Sequence, residues 1–138
     1  MAPTPTPPAG PRGVIGAAAE EAAVAHLVGQ GWTIVGRNVR VGRDEIDIIA
    51  LEPGSPPVLV LLEVRSSSTP RFGSPRESVD ARKVARLYRA GIALRQRGYP
   101  GVAAAGSRLA WRVDLLTFLG SGSAGWQLEA HLRGLDSS

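Results

Sequence analysis

The chain has 138 residues, 43% of them hydrophobic, a formal charge of +4, two histidines and no cysteine. That is enough for one domain with its own core and too little for two; it excludes disulfides and thiolate metal sites and argues against a histidine-built zinc site on His26 and His131. Any metal would be a hard, oxygen-ligated cation, magnesium or manganese. No apolar run reaches the roughly 18 residues of a membrane span, so no membrane partner is expected. The opening MAPTPTPPAGPRG lacks the basic-then-apolar order of a signal peptide, and the expected compartment is the cytoplasm.

Residues 1–13 are Pro-rich and read as a disordered tail, with a single domain over 14–135. IGAAAEEAAVAHLVG (15–29) favours a helix in which Ala19, Ala23, Val24 and Leu27 share one side, ended by Gly29 and Gly31. WTIVGRNVRV (32–41) reads as a strand with a bulge at Gly36, and EIDIIAL (45–51) as a second. After the turn EPGSPP comes VLVLLEVR (58–65), apolar enough for a central strand covered on both faces. The loop SSSTPRFGSPRES leads to a helix starting at about Arg76 or Val79, capped by Ser74 or Ser78, and running to Arg97. Its apolar stripe is Val84, Leu87, Gly91 and Leu94, and its basic stripe Arg82, Arg86 and Arg89. RLAWRVDLLTFL (108–119) is a fourth strand, and WQLEAHL (126–132) is either a last strand or a helical turn.

The crossover through the second helix makes strands three and four parallel, while the first three form an antiparallel meander. The expected fold class is therefore α/β, a mixed central sheet flanked by helices.

Charge is unevenly spread. From Arg65 to Arg112, ten arginines and Lys83 face only Glu77 and Asp80, a local +9. Such a segment attracts polyanions; the competing reading is a set of solvated faces. Strand alternation puts Glu45 and Asp47 on one face with Ile46 and Ile48 on the other, and groups Leu61, Glu63 and Arg65. The hairpin through EPGSPP makes Asp47 and Glu63 neighbours. A carboxylate ending a central strand is costly to bury alone and calls for a cation. Two carboxylates can hold magnesium with water positions open; the competing reading is an ion pair of Glu63 with Arg65 or another arginine. Asp114 reads as the partner of Arg112 or a helix arginine, and Trp32, Trp111 and Trp126 as core or edge residues.

GAAAEEAAVAHL (16–27), RNVRVGRDEIDIIA (37–50), LLEVRSSS (61–68), FGSPRESVDARKVARL (72–87) and WRVDLLTF (111–118) occur in the order of the YraN family. Over residues 14–135 the chain resembles these small bacterial proteins, which are regarded as endonucleases of the restriction-endonuclease-like, PD-(D/E)xK type. The resemblance implies that Asp47 and Glu63 are acidic metal ligands, that Glu20 completes the site, and that Arg65 falls at the pattern's lysine. Glu45 matches the acid of the family's GEID motif, Lys83 its helix lysine, and Asp114 its RFDV aspartate. Asp44 stands where the family has glycine and Ser67 where it often has a basic residue. Arginine at 65 can clamp phosphate but does not readily accept a proton, and Lys83 is the only lysine able to take that role.

The expected function is a magnesium- or manganese-dependent endonuclease on DNA, branched forms included, choosing by shape rather than sequence. Its catalytic residues would be Asp47, Glu63, Arg65 and Glu20. Arg71, Arg76, Arg82, Lys83 and Arg86 would contact nucleic acid, and a homodimer is compatible with this reading. The alternative is a catalytically silent nucleic-acid-binding or assembly protein on the same fold.

Overall fold

In the structure, a computed structural model, residues 11–67, 79–97, 109–121 and 125–135 are described. Helix α1 (Pro11–Gly29) is followed by strands β1 (Thr33–Val41), β2 (Asp44–Glu52) and β3 (Val58–Ser67), helix α2 (Ala81–Arg97), and strands β4 (Trp111–Ser121) and β5 (Gly125–Leu132). The strands form one sheet in the order β1-β2-β3-β4-β5. Strands β3 and β4 are parallel, and the other neighbours antiparallel. This is the mixed α/β architecture expected from the element order. The segment read as strand or turn is the edge strand β5. Among the described residues no helix is long and apolar enough to cross a membrane.

The helix ends have local causes. Helix α1 begins four residues before the expected Ile15. It closes where Gly31, at φ 88°, lets the Trp32 N–H reach the Leu27 carbonyl and its own N–H reach Val28, each at 3.0 Å. Helix α2 begins at Ala81, later than either expected start. Asp80 is its cap: the Arg82 N–H donates to Asp80 Oδ1 at 2.9 Å. The expected caps Ser74 and Ser78, and the start at Arg76, lie outside the described residues.

The helices cover opposite sheet faces, as alternation along β3 shows. Leu61 joins Val84, Leu87, Ala90 and Leu94 of α2, with Ile46, Ile49, Val113 and Leu115. Val60 and Leu62 join Ala23 and Leu27 of α1, with Ile48, Ala50, Leu116 and Phe118. At about 25 cal/mol per Å² of apolar surface, these two layers supply the main drive to fold.

Apart from the bulges at Ile34/Gly36 and opposite Thr117/Phe118, alternation fails on β2, and that failure matters for the site. Ile46 and Ile48 were expected on one face, yet Ile46 packs on the α2 side and Ile48 on the α1 side. On β1, Arg37 pairs with Ile48 and Val39 with Ile46, bracketing Asn38 opposite Asp47. Asn38 has φ 49°, a left-handed conformation that asparagine tolerates. The strand pair thus turns over at Asn38 and Asp47, and Glu45 and Asp47 do not simply share a face.

Candidate active site

The β2–β3 ladder stops at Ile48 and Leu62. One step further the strands part at Asp47 and Glu63. The Asp47 carboxylate fills the gap, accepting the Val64 N–H at Oδ2 over 2.8 Å. On its other side β3 stays paired with β4 through Ser67, so Glu63 is held in the sheet while facing the fork. Its exposure is 5%. Lys83 of α2 reaches its Oε1 at 2.6 Å, and Oε2 is buried with no hydrogen-bond partner. Among the described residues the cation on Glu63 is therefore Lys83, and neither Arg65 nor another arginine. Arg65 lies close by, lining with Glu63 and Lys83 a small cavity over Val84, Leu87 and Leu115.

Electrostatics mark the fork as strained. Burial, then the charges of Glu63 and Glu20, push the Asp47 pKa up to about 7, against the opposing Val64 N–H and Lys83. Glu20 is also raised, chiefly by burial; Asn38 and Arg37 oppose this, while Glu45 and Glu63 add to it. The positive φ of Asn38 thus belongs to a residue that also hydrogen-bonds Glu20. The fold brings Glu20, Asp47 and Glu63 within electrostatic reach. Among the described residues, however, no three acidic or imidazole groups gather closely enough to enclose a metal ion.

A groove of about 670 Å³ opens beside the fork, between the β1–β2 turn and α2, lined by Arg43, Asp44, Glu45, Asp47, Lys83, Arg86 and Arg89. Of the residues expected to contact nucleic acid, Lys83 and Arg86 line it, and Arg82 is exposed on α2 away from it. Arg71 and Arg76 lie outside the described residues. The sequence reading missed Arg43, and missed the pairing of Asp44 with Arg89, whose Nε and Nη2 donate to its two oxygens at 3.1 and 2.9 Å. That pairing holds the Asp44 carboxyl below its ordinary pKa. The only visible signal was Asp44 standing where related chains have glycine.

Asp114 belongs to a different construction, on the α1 face. It is fully buried and accepts from Arg112 Nε and Nη2 at 2.9 and 3.0 Å and the Gly134 N–H at 2.9 Å, with His131 Nε2 2.8 Å away. Burial alone would raise its pKa, but these bonds outweigh burial and hold it low. Arg112 also grips Glu52 with two bonds, Arg133 pairs with Glu52, and Trp32 stacks against His131. Every strong acceptor here is matched by a protein donor, the mark of a structural network. The three tryptophans are core or edge residues, as expected: Trp32 is in the α1-side core, Trp126 packs against it, and Trp111 packs on the α2 side.

Residues 19–118 match the model of the family described as Uncharacterised protein family UPF0102. A UPF0102 protein of Sorangium cellulosum is 42% identical over 86% of this chain and 79% of its own length. One of Deinococcus radiodurans is 46% identical over 62% of this chain and 69% of its own. The solved structure of Pyrococcus furiosus SfsA in complex with Ca2+ aligns over 88% of this chain and 62% of that one, at 15% identity and a TM-score of 0.34, too slight a likeness to argue from. The fork at Asp47 and Glu63, the helix acid Glu20 and the lysine on α2 all fall inside the matched span, and the chain belongs to the UPF0102 family, the YraN family that its motifs resemble.

Proposed function

We propose that this protein is a metal-dependent endonuclease acting on DNA phosphodiester bonds, with substrate shape rather than base sequence deciding where it cuts. The observation that carries the reading is the carboxylate pair at the strand fork, half-buried Asp47 and buried Glu63, held together against their desolvation and mutual repulsion. A structural role would not call for two acids there. The donor set fits a hard divalent cation. Glu63 Oε2 is buried and unpartnered, and a cation between the carboxylates would relieve the repulsion that raises Asp47. Asp47 and Glu63 would hold magnesium or manganese, and Glu20, within electrostatic reach of both, would complete the set by drawing closer once the ion is bound. Such an ion supplies the charge that acidifies water and offsets the charge gathering on an attacked phosphodiester.

The chain's own residues divide the remaining work. Lys83 steadies Glu63, and Arg65, always charged, clamps a phosphate oxygen. Helix α2 packs on the sheet along its length, through Val84, Leu87, Ala90, Gly91 and Leu94. It therefore offers arginine tips to a backbone rather than a helix end to base edges, which supports shape-directed binding.

A second reading has its own support. Lys83 already compensates Glu63, and arginine stands in the lysine position, as in a protein that binds nucleic acid without cutting it. Incubation with manganese or magnesium and linear, single-stranded, flapped and four-way-junction DNA separates the two. Cutting by the wild type and not by folded Asp47→Ala or Glu63→Ala is the expected result. Binding without cutting in all three would transfer the case to the silent binder.

A further inference from the structure

Two grooves run into one another along the exposed side of α2. The first begins at Asp47 and Lys83 and reaches Arg43 and Arg89. The second, about 400 Å³, continues from Arg43 and Arg89 to Arg97 over Val41, Ala90 and Ala93. Arg43, Asp44 and Arg89 line both, so the two grooves adjoin at the Asp44–Arg89 pair and together make one trough. Helix α2 from Lys83 to Arg97 spans about 21 Å at its rise per residue. That length matches about six nucleotides of one duplex strand at 3.4 Å each.

Charge is graded along the trough. At the fork end Glu45 and Asp47 offset Lys83 and Arg86, so the lining there carries no net charge until a cation is bound. Arg43, Arg89 and Arg97 lie towards the far end, against Asp44 alone. Asp44 is the anchor of its pair: its side chain is 8% exposed, while that of Arg89 is 66% exposed. The bidentate bond uses Nε and Nη2, and Nη1 takes no part in it. A neutralised but oriented arginine is suited to positioning a phosphate, and its exposed neighbours Arg43 and Arg97 add attraction.

We infer that this trough is a track for a nucleic-acid backbone, running one way from the carboxylate pair, with Arg43, Arg89 and Arg97 as its phosphate contacts. The inference rests on the nucleic-acid reading above and names the surface that reading requires.

The test is fluorescence anisotropy of the full chain on a labelled DNA duplex and a labelled single strand, in chelator, across 50 to 200 mM salt. Arg43→Ala and Arg97→Ala are each expected to weaken binding about fivefold and to lower the salt slope by about one. Arg95→Ala removes the same charge from the same helix at an exposed residue that lines neither groove, and is expected to change affinity less than about twofold. Thermal melts confirm that each variant is folded. Equal losses from all three variants would overturn the track while leaving nucleic-acid binding in place. A wild type that does not bind, or binds without salt dependence, would overturn both.

Discussion

Half-buried Asp47 and fully buried Asp114 are both aspartates of the sheet, and their surroundings set them to opposite tasks. Asp114 receives donors from Arg112, Gly134 and His131. Removing it leaves Arg112 to Glu52 alone and takes the acceptor from the Gly134 N–H and His131, so Asp114→Ala is expected to cost about 1–3 kcal/mol, read as the loss of stability in urea denaturation. Asp47 has one backbone donor and two nearby carboxylates. Asp47→Asn keeps an acceptor for the Val64 N–H and removes the repelling charge. In metal-free buffer at pH 8 that variant is expected to melt higher than wild type by several degrees, the pattern of a residue kept for function at a cost in stability. A lower melting temperature would identify Asp47 as a structural residue.

At the scale of elements, the site depends on how closely α2 lies on the sheet. A Cβ on Gly91 would come within 3.0 Å of three ring carbons of Trp111, and Trp111 also stacks on Tyr88, with ring centroids 5.2 Å apart. Alanine would favour the helix by about 1 kcal/mol, but overpacking costs about 1–3 kcal/mol. Gly91→Ala is therefore expected to destabilise on balance in a thermal melt, because the added methyl meets a ring already packed against Tyr88. The C-terminal end adds a second tie: the Tyr88 hydroxyl donates to the Leu135 carbonyl at 2.5 Å, and the Leu135 N–H donates to Val113 at 2.8 Å. These contacts hold Lys83 over Glu63. The Asp80 cap fixes where the helix begins, and Asp80→Ala is expected to cost about 1 kcal/mol in the same melts.

For the whole molecule, the titrating groups predict an unusual pH profile in metal-free solution. Asp47 keeps its proton to about pH 7 when folded and loses it near pH 4 when unfolded. Between those values the folded chain binds more protons, so this group lowers stability as pH rises from about 4 to 7. Asp114 and Glu52 have lowered pKa values, from bonds to His131 and Arg112 and from Arg112 respectively. Their contribution is present above the unfolded carboxylate range and is lost as pH falls through their folded values. Stability is therefore expected to peak near pH 4–5, with the alkaline shoulder removed by Asp47→Asn; chemical denaturation across pH measures it. Magnesium should restore stability at pH 8 in wild type and much less in Asp47→Asn, since an ion that prefers the native state stabilises it by mass action.

The sequence by itself determined the elements, their order and most of their faces. Periodicity fixed which side of each helix is buried, and an apolar run such as VLVLLEV has no use except as a central strand. It also put Asp47 and Glu63 side by side, because a hairpin allows one register that keeps both cores apolar. Only the tertiary structure decided what those acids meet. That Lys83 rather than Arg65 holds Glu63, that the strand pair turns over at Asn38 and Asp47, and that Asp44 anchors Arg89 depend on contacts between residues 9 to 45 apart in the chain. Periodicity is a local property of the backbone. The partner of a charge depends on which long side chains reach the same place after packing, and spacing along the chain carries no record of that.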